Sequence, residues 1–195
     1  MTNEVNRLRG YAVLVIDMLN DYLLPDGAVY CAEGRKIIPK ISSLATFVRD
    51  NGGFVFYLNT ELYPSDLLSK KWGVHASPGS FGAEVVKELT PELGDTIISK
   101  KFYNGFHETD LHEKLTKKHT RYVLLTGIHT HVCVMLTGVG AFERGYRVIA
   151  FEDCMTTGYK ANHDSRLQFF FFLGSHIGSL EQSENWMRTI ATSHD

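Results

Sequence analysis

Between Arg121 and Arg144 the chain reads RYVLLTGIHTHVCVMLTGVGAFER, and within that stretch the hydrophobic period changes from that of a strand to that of a helix. Tyr122 to Leu125 is the short apolar run of a strand buried on both faces, and Gly127 marks the break that follows. From Val134 onward, Leu136, Val139, Ala141 and Phe142 recur at helical spacing until Gly145, which is suited to end the helix. A strand that feeds a helix is the repeating unit of a parallel sheet with crossover connections. Cys133 sits at the change of period. A thiol at the start of a helix feels the positive end of the dipole, which favours the nucleophilic thiolate; the competing reading is a small buried hydrophobe.

The same alternation of patterns runs along the chain. Tyr11 to Ile16 (YAVLVI) is apolar and rich in β-branched residues, as a central parallel strand requires, and Asp17 closes it. A loop with Pro25, Asp26 and Gly27 follows, then Ile37, Ile38, Ile41, Leu44, Ala45 and Val48 at helical spacing, a stop at Asn51 to Gly53, and a second strand from Phe54 to Leu58. From Asn59 to Gly82 the periodicity is lost; in an α/β domain such a stretch is an active-site loop, and it contains Trp72 and His75. Beyond it the pattern predicts a short helix over Gly82 to Leu89, a third strand over Thr96 to Ser99 and a helix over Asp110 to Lys118. After the central stretch come a strand over Arg147 to Phe151, a helix over Asn162 to Phe172, a short strand over His176 to Gly178 and a helix over Ser183 to Ile190.

With no internal repeat, low-complexity tract or linker, the expectation is one α/β domain over residues 1–195, with parallel strands joined by right-handed crossovers. Its 195 residues, 44% of them hydrophobic, supply one sizeable core. The net charge of -2 is spread over interspersed residues of both signs, which argues against nucleic acid or an anionic membrane as partner and fits small-molecule or protein partners better; a small-molecule substrate is expected. No apolar run reaches the roughly 18 residues of a membrane span, and MTNEVNRLRG lacks the apolar core of a signal peptide, so a cytoplasmic location is expected. Three irregularly spaced cysteines, Cys31, Cys133 and Cys154, are expected to be reduced.

Ligands of such sheets bind beyond the carboxyl ends of the strands, so Asp17, the loop after Leu58, the residues after Ile98 and Cys133 should meet on one edge. A carboxylate at Asp17, flanked by an apolar strand, would be partly desolvated and so a better base toward a thiol. Either Lys100 or Lys101 could bring a cation to the same edge, where it would stabilise a thiolate and orient the carboxylate. A dinucleotide-binding role would need a glycine-rich turn after the first strand, and a thiol redox role a C-x-x-C pair; neither is present.

In order along the chain, DMLNDYLLPDG, HASPGSFGAE, KKFYNGFHETDL, TGIHTHVCV, AFERGYRV and EDCMTT resemble the motifs of the isochorismatase-like cysteine hydrolases, a superfamily that includes nicotinamidases and N-carbamoylsarcosine amidases. The resemblance covers nearly the whole chain. It implies a three-layer α/β/α fold on a six-stranded, mainly parallel sheet of order 3-2-1-4-5-6. It implies a catalytic set of Asp17, Lys100 and Cys133, with the K-x-x-Y-x-x-F pattern selecting Lys100 over Lys101. A non-proline cis peptide is implied at Ile128 to His129, with an oxyanion hole from backbone N–H groups near His129 and of Cys133. The implied reaction is cleavage of a C–N bond in a small carboxamide or ureide through a thioester. A hydrolase acting on a different bond and a non-catalytic ligand-binding relative are the alternatives.

The resemblance also bears on the pocket, on metal and on assembly. Tyr22, Trp72, Tyr103, Phe106 and His131 are the expected walls of a substrate pocket. The chemistry requires no cofactor, but family nicotinamidases hold a divalent metal at positions that fall here on Glu61, Tyr63 and His75. Glu61 and His75 could ligate zinc, with Asp66 or water completing the shell. Leu19 stands where many relatives carry glutamine, and His129 and His131 stand where many carry a small residue and an acid. Family members commonly form oligomers, so a homo-oligomer, dimer or tetramer, is expected; Phe169 to Phe172 is too apolar for one helix face and is the candidate contact.

Overall fold

The computed structural model describes residues 8–158, 160–173 and 176–181, and the helix expected over Ser183 to Ile190 lies outside them. Its strands are β1 (Tyr11–Ile16), β2 (Phe54–Thr60), β3 (Thr96–Lys100), β4 (Tyr122–Ile128), β5 (Arg147–Thr156) and β6 (His176–Gly178). Its helices are α1 (Asn20–Leu23), α2 (Gly34–Asp50), α3 (Leu67–Trp72), α4 (Leu111–Lys117), α5 (Met135–Phe142) and α6 (Lys160–Phe172). The strand order is β3-β2-β1-β4-β5-β6 and every paired neighbour is parallel, as the resemblance implied.

The unbroken apolar run of β1 follows from its central position, because both of its faces are covered. Tyr11, Val13 and Val15 pack with Ile37, Ile41, Leu44 and Val48 of α2, while Ala12, Leu14 and Ile16 join Leu111 and Leu115 of α4, Ala141 of α5 and Phe170 of α6. The result is a sheet between two helical layers. Phe170 is buried, whereas Phe171 and Phe172 are 73% and 78% exposed and meet edge to face, so the aromatic run divides between core and surface. No helix among the described residues is long and apolar enough to cross a membrane.

Three elements differ from expectation. The helix predicted over Gly82 to Leu89 is replaced by two 3-10 turns, Phe81–Ala83 and Lys87–Leu89. Between them Val85 bridges antiparallel to Leu19, and Val86 N–H bonds the carbonyl of Met18 at 3.0 Å, so the backbone is committed to the loop after β1. β5 continues past Phe151 because Met155 and Thr156 pair with Gly127 and Ile128 after a register shift, and the polar Glu152 and Asp153 hide this in the sequence. β4 likewise runs through Gly127 instead of ending before it.

Gly127 has φ of 105°, and a Cβ there would lie 2.1 Å from the carbonyl oxygen of Ile16. A side chain is therefore excluded both by conformation and by the neighbouring strand. Gly127→Ala should lower unfolding stability by about 3 kcal/mol or more, read as the shift of the urea midpoint.

Candidate active site

The carboxyl ends of β1, β2 and β3 bring three polar side chains, Asp17, Thr60 and Lys100, together in a buried space. Asp17 has φ of 55°, and its N–H bonds the carbonyl of Leu58 at 3.0 Å. Its carboxylate is 1% exposed; Oδ1 accepts the Thr60 N–H at 2.8 Å and Oδ2 accepts from Lys100 Nζ at 2.8 Å. Lys100, also 1% exposed, is the last residue of β3 and is paired in register with Thr60. Its ammonium also donates to Thr60 Oγ1 at 2.7 Å and lies 3.8 Å from Cys133 Sγ. Lys101 points outward, with Nζ 3.8 Å from Asp66 and over the Tyr63 ring, which separates the two candidate lysines by position.

Cys133 arrives from β4. The Ile128–His129 peptide is cis, and a π turn over Thr130–Val134 follows, in which the N–H groups of Val132 and Val134 both bond the His129 carbonyl, at 2.9 and 3.2 Å. The cysteine therefore lies inside a wide turn that leads into α5. Burial pushes its thiol well above the ordinary range, the Asp17 carboxylate adds to this by charge and by accepting the thiol's hydrogen bond, and Lys100 opposes both. Burial also works against the charge on Lys100, but the Asp17 carboxylate and the Cys133 sulfur outweigh it, and the lysine remains an ammonium above its usual value. Burial and the Asp17 charge thus oppose the dipole argument for a preformed thiolate.

Asp17 and Cys133 open on a cavity of about 710 Å³. Of the candidate wall residues Tyr22, Trp72, Tyr103 and His131 line it, together with His129, and Trp72 Nε1 donates to the Tyr103 hydroxyl at 2.8 Å, tying α3 to the segment after β3. Burial, and then His131, hold the His129 imidazole below its ordinary value. Phe106 does not reach the cavity. The turn that bonds Gly105 N–H to Thr137 Oγ1 at 2.9 Å sends its ring into the α4–α6 layer, where it stacks on Tyr146. The sequence reading missed Tyr30, Cys31 and Glu33 from the loop before α2, Thr60, Leu68 and Thr157, all of which line the cavity. Among the described lining residues there is no lysine or arginine.

Residues 11–182 match the family model of the isochorismatase domain. The chain belongs to the isochorismatase family of hydrolases. The isochorismatase-family protein YaaI of Bacillus subtilis is 26% identical over 80% of this chain and 86% of its own. Among solved structures, N-carbamoylsarcosine amidase of Thermoplasma acidophilum has a TM-score of 0.80 at 29% identity, over 87% of this chain and 96% of that one. Pyrazinamidase of Pyrococcus horikoshii, described in complex with zinc, has a TM-score of 0.81 at 27% identity, over 87% and 99%.

In this isochorismatase-family chain the candidate metal ligands are not gathered. Glu61 opens on two small cavities that His75 does not line, while His75 lines the main one. Both ring nitrogens of His75 are engaged, Nδ1 with the Gly73 carbonyl at 2.8 Å and Nε2 with the Tyr22 hydroxyl at 3.1 Å. Asp66 Oδ2 accepts the Tyr63 N–H at 2.7 Å. Among the described residues no group of three or more His, Cys, Asp or Glu side chains is placed to hold a metal. Among the described residues Glu61 and His75 are not arranged to form the zinc site they could have supplied. Leu19 is buried in the core and pairs with Val85, so its lost polarity falls outside the cavity.

Proposed function

We propose that this protein is a cysteine hydrolase that cleaves the C–N bond of a small, uncharged carboxamide or ureide through a thioester. The observation that carries this reading is the contact of Cys133 Sγ with an ammonium, 3.8 Å away, that is itself 2.8 Å from a buried carboxylate. As Sγ attacks the carbonyl carbon, Asp17 takes the thiol proton, and backbone N–H groups near His129 and of Cys133 receive the developing oxyanion. Asp17 then returns the proton to the leaving nitrogen, the amine departs, and a water deprotonated by Asp17 hydrolyses the thioester to free acid and thiol. Lys100 holds the carboxylate in place and stabilises the sulfur as it becomes anionic.

The cavity offers aromatic walls and no lysine or arginine among its described lining, which favours a flat neutral amide over a carboxylate-bearing substrate. Incubation with a panel of neutral carboxamides and ureides, set beside anionic amides, should release ammonia from one or more neutral members, with a mass increment on Cys133 during turnover. Absence of release across the panel, with ligands detected only by thermal shift, would sink this reading in favour of a binding relative. Turnover confined to anionic substrates would reverse the specificity argument.

A further inference from the structure

Cys133 is only as well aimed as the turn that carries it. That turn, Thr130–Val134, is a π turn, wider than a turn of α-helix and of a kind that recurs at functional sites. The Val132 and Val134 N–H groups both bond the His129 carbonyl, at 2.9 and 3.2 Å, and the Met135 N–H bonds the Thr130 carbonyl. These bonds close the turn on itself without fixing it to the helical layer it lies against. Apolar packing supplies part of that hold, since Cys133 and Val134 share a core cluster with Phe170 of α6. Such packing is non-directional and leaves the rotation of the turn weakly specified.

A directional tie is present as well. Thr130, the first residue of the turn, is fully buried, and its Oγ1 is hydrogen-bonded to Nδ1 of His163 on α6 at 2.9 Å. Either group can supply the proton, so the bond holds in both neutral tautomers of the ring and in the charged ring. α6 lies close because α5 lets it approach: a Cβ at Gly138 would come within 3.0 Å of the Phe170 ring and 2.8 Å of the Leu125 side chain. The connection from β5 into α6 also forms part of the cavity wall, through Thr157 and Gly158. One helix thus follows from the cavity wall and holds the turn that carries the sulfur. The Thr130 tether falls within the span from His129 to Cys133, so the rotation it prevents would carry the N–H groups at both ends of that span.

We propose that His163 is a positioning residue, which through Thr130 fixes the turn so that the backbone N–H groups near His129 and of Cys133 meet the oxyanion formed when Cys133 attacks a carbonyl. The proposal rests on the functional reading above in taking Cys133 as the nucleophile and those N–H groups as the donors. It does not depend on which amide is the substrate, so it is tested on the sulfur itself.

Two reagents that react with the same sulfur separate aim from reactivity. Iodoacetamide alkylates it by displacement at a saturated carbon and forms no oxyanion. p-Nitrophenyl acetate transfers its acetyl group to the sulfur through a carbonyl addition that does form one, releasing p-nitrophenolate while the thiol proton passes to Asp17. Both reactions are run on the intact protein, with the adduct read on the Cys133 peptide by mass spectrometry. Thr130→Val and His163→Leu should each slow acetylation about thirtyfold and leave alkylation within about threefold of the parent, since outright loss of an oxyanion donor costs about a hundredfold or more. The double substitution should be no slower than the slower single one, because both break one bond. Thr130→Ser keeps the hydroxyl and His163→Asn brings an amide atom near the place of Nδ1, so each should stay within about threefold of the parent in both reactions. Equal slowing of the two reactions, effects that multiply in the double variant, unchanged acetylation in His163→Leu, or a parent whose Cys133 is not acetylated would each overturn the proposal. If the acetylation pattern holds while no amide on the panel is turned over, the amidase reading falls and the positioning role stands.

Discussion

Cys133→Ala should abolish ammonia release, reducing kcat by roughly ten-thousand-fold or more, while the protein remains folded and still binds the amide. The expectation follows from the position of the sulfur, 3.8 Å from the Lys100 ammonium and under the charge of the Asp17 carboxylate. Cys133→Ser is the sharper variant, since it keeps an attacking atom in nearly the same place. Its hydroxyl is far less acidic than a thiol and the leaving ester less labile, so it too should be inactive in turnover while differing little from the parent in thermal midpoint. Thioester mass on the parent, absent from both variants, would identify the acyl carrier. Ammonia release surviving in Cys133→Ala would eliminate the covalent route and leave direct attack of water activated by Asp17.

The strand ends were legible in the sequence because the physics that builds a parallel sheet is local. YAVLVI and FVFYL announce strands buried on both faces, and the rule that ligands gather beyond their carboxyl ends foretold that Asp17 and Cys133 would meet. What spacing could not do was choose between Lys100 and Lys101, because adjacent residues on a strand end differ only in the face they take; the resemblance made that choice. Phe106 was misassigned because a sequence pattern carries no turn geometry, and Gly105 bonded to Thr137 directs the ring away from Tyr103's side. The ends of β4 and β5 were invisible for a related reason: Gly127 reads as a breaker yet pairs with Met155, and Glu152 lies in the register shift that the strand continues beyond. Thr60 escaped for a third reason. A threonine at a strand end carries no signal until the group that bonds its hydroxyl, here the Lys100 ammonium, is known.

Removing Lys100 should separate what the ion pair does for folding from what it does for chemistry. Lys100→Met leaves the Asp17 carboxylate buried with the Thr60 N–H but without its cation, a change expected to cost about 3–5 kcal/mol of unfolding stability in urea and to abolish turnover. Asp17→Asn strands the ammonium in the same way and should cost a similar amount. The double variant Asp17→Asn with Lys100→Met removes both charges, so its stability should recover well beyond the sum of the single losses while activity stays absent. The pH dependence has a definite sign. The folded-state value of Lys100 lies above its unfolded value, so the pair's contribution is complete below about pH 10.5 and is lost as pH rises through the folded value. Cys133 is raised as well and acts in the same direction, which means Lys100→Met should flatten the alkaline fall in stability without eliminating it. A double variant no more stable than Lys100→Met alone would mean that the losses come from packing around the methionine and not from an unpaired charge, and the ion pair would then be a catalytic device with no net role in the fold.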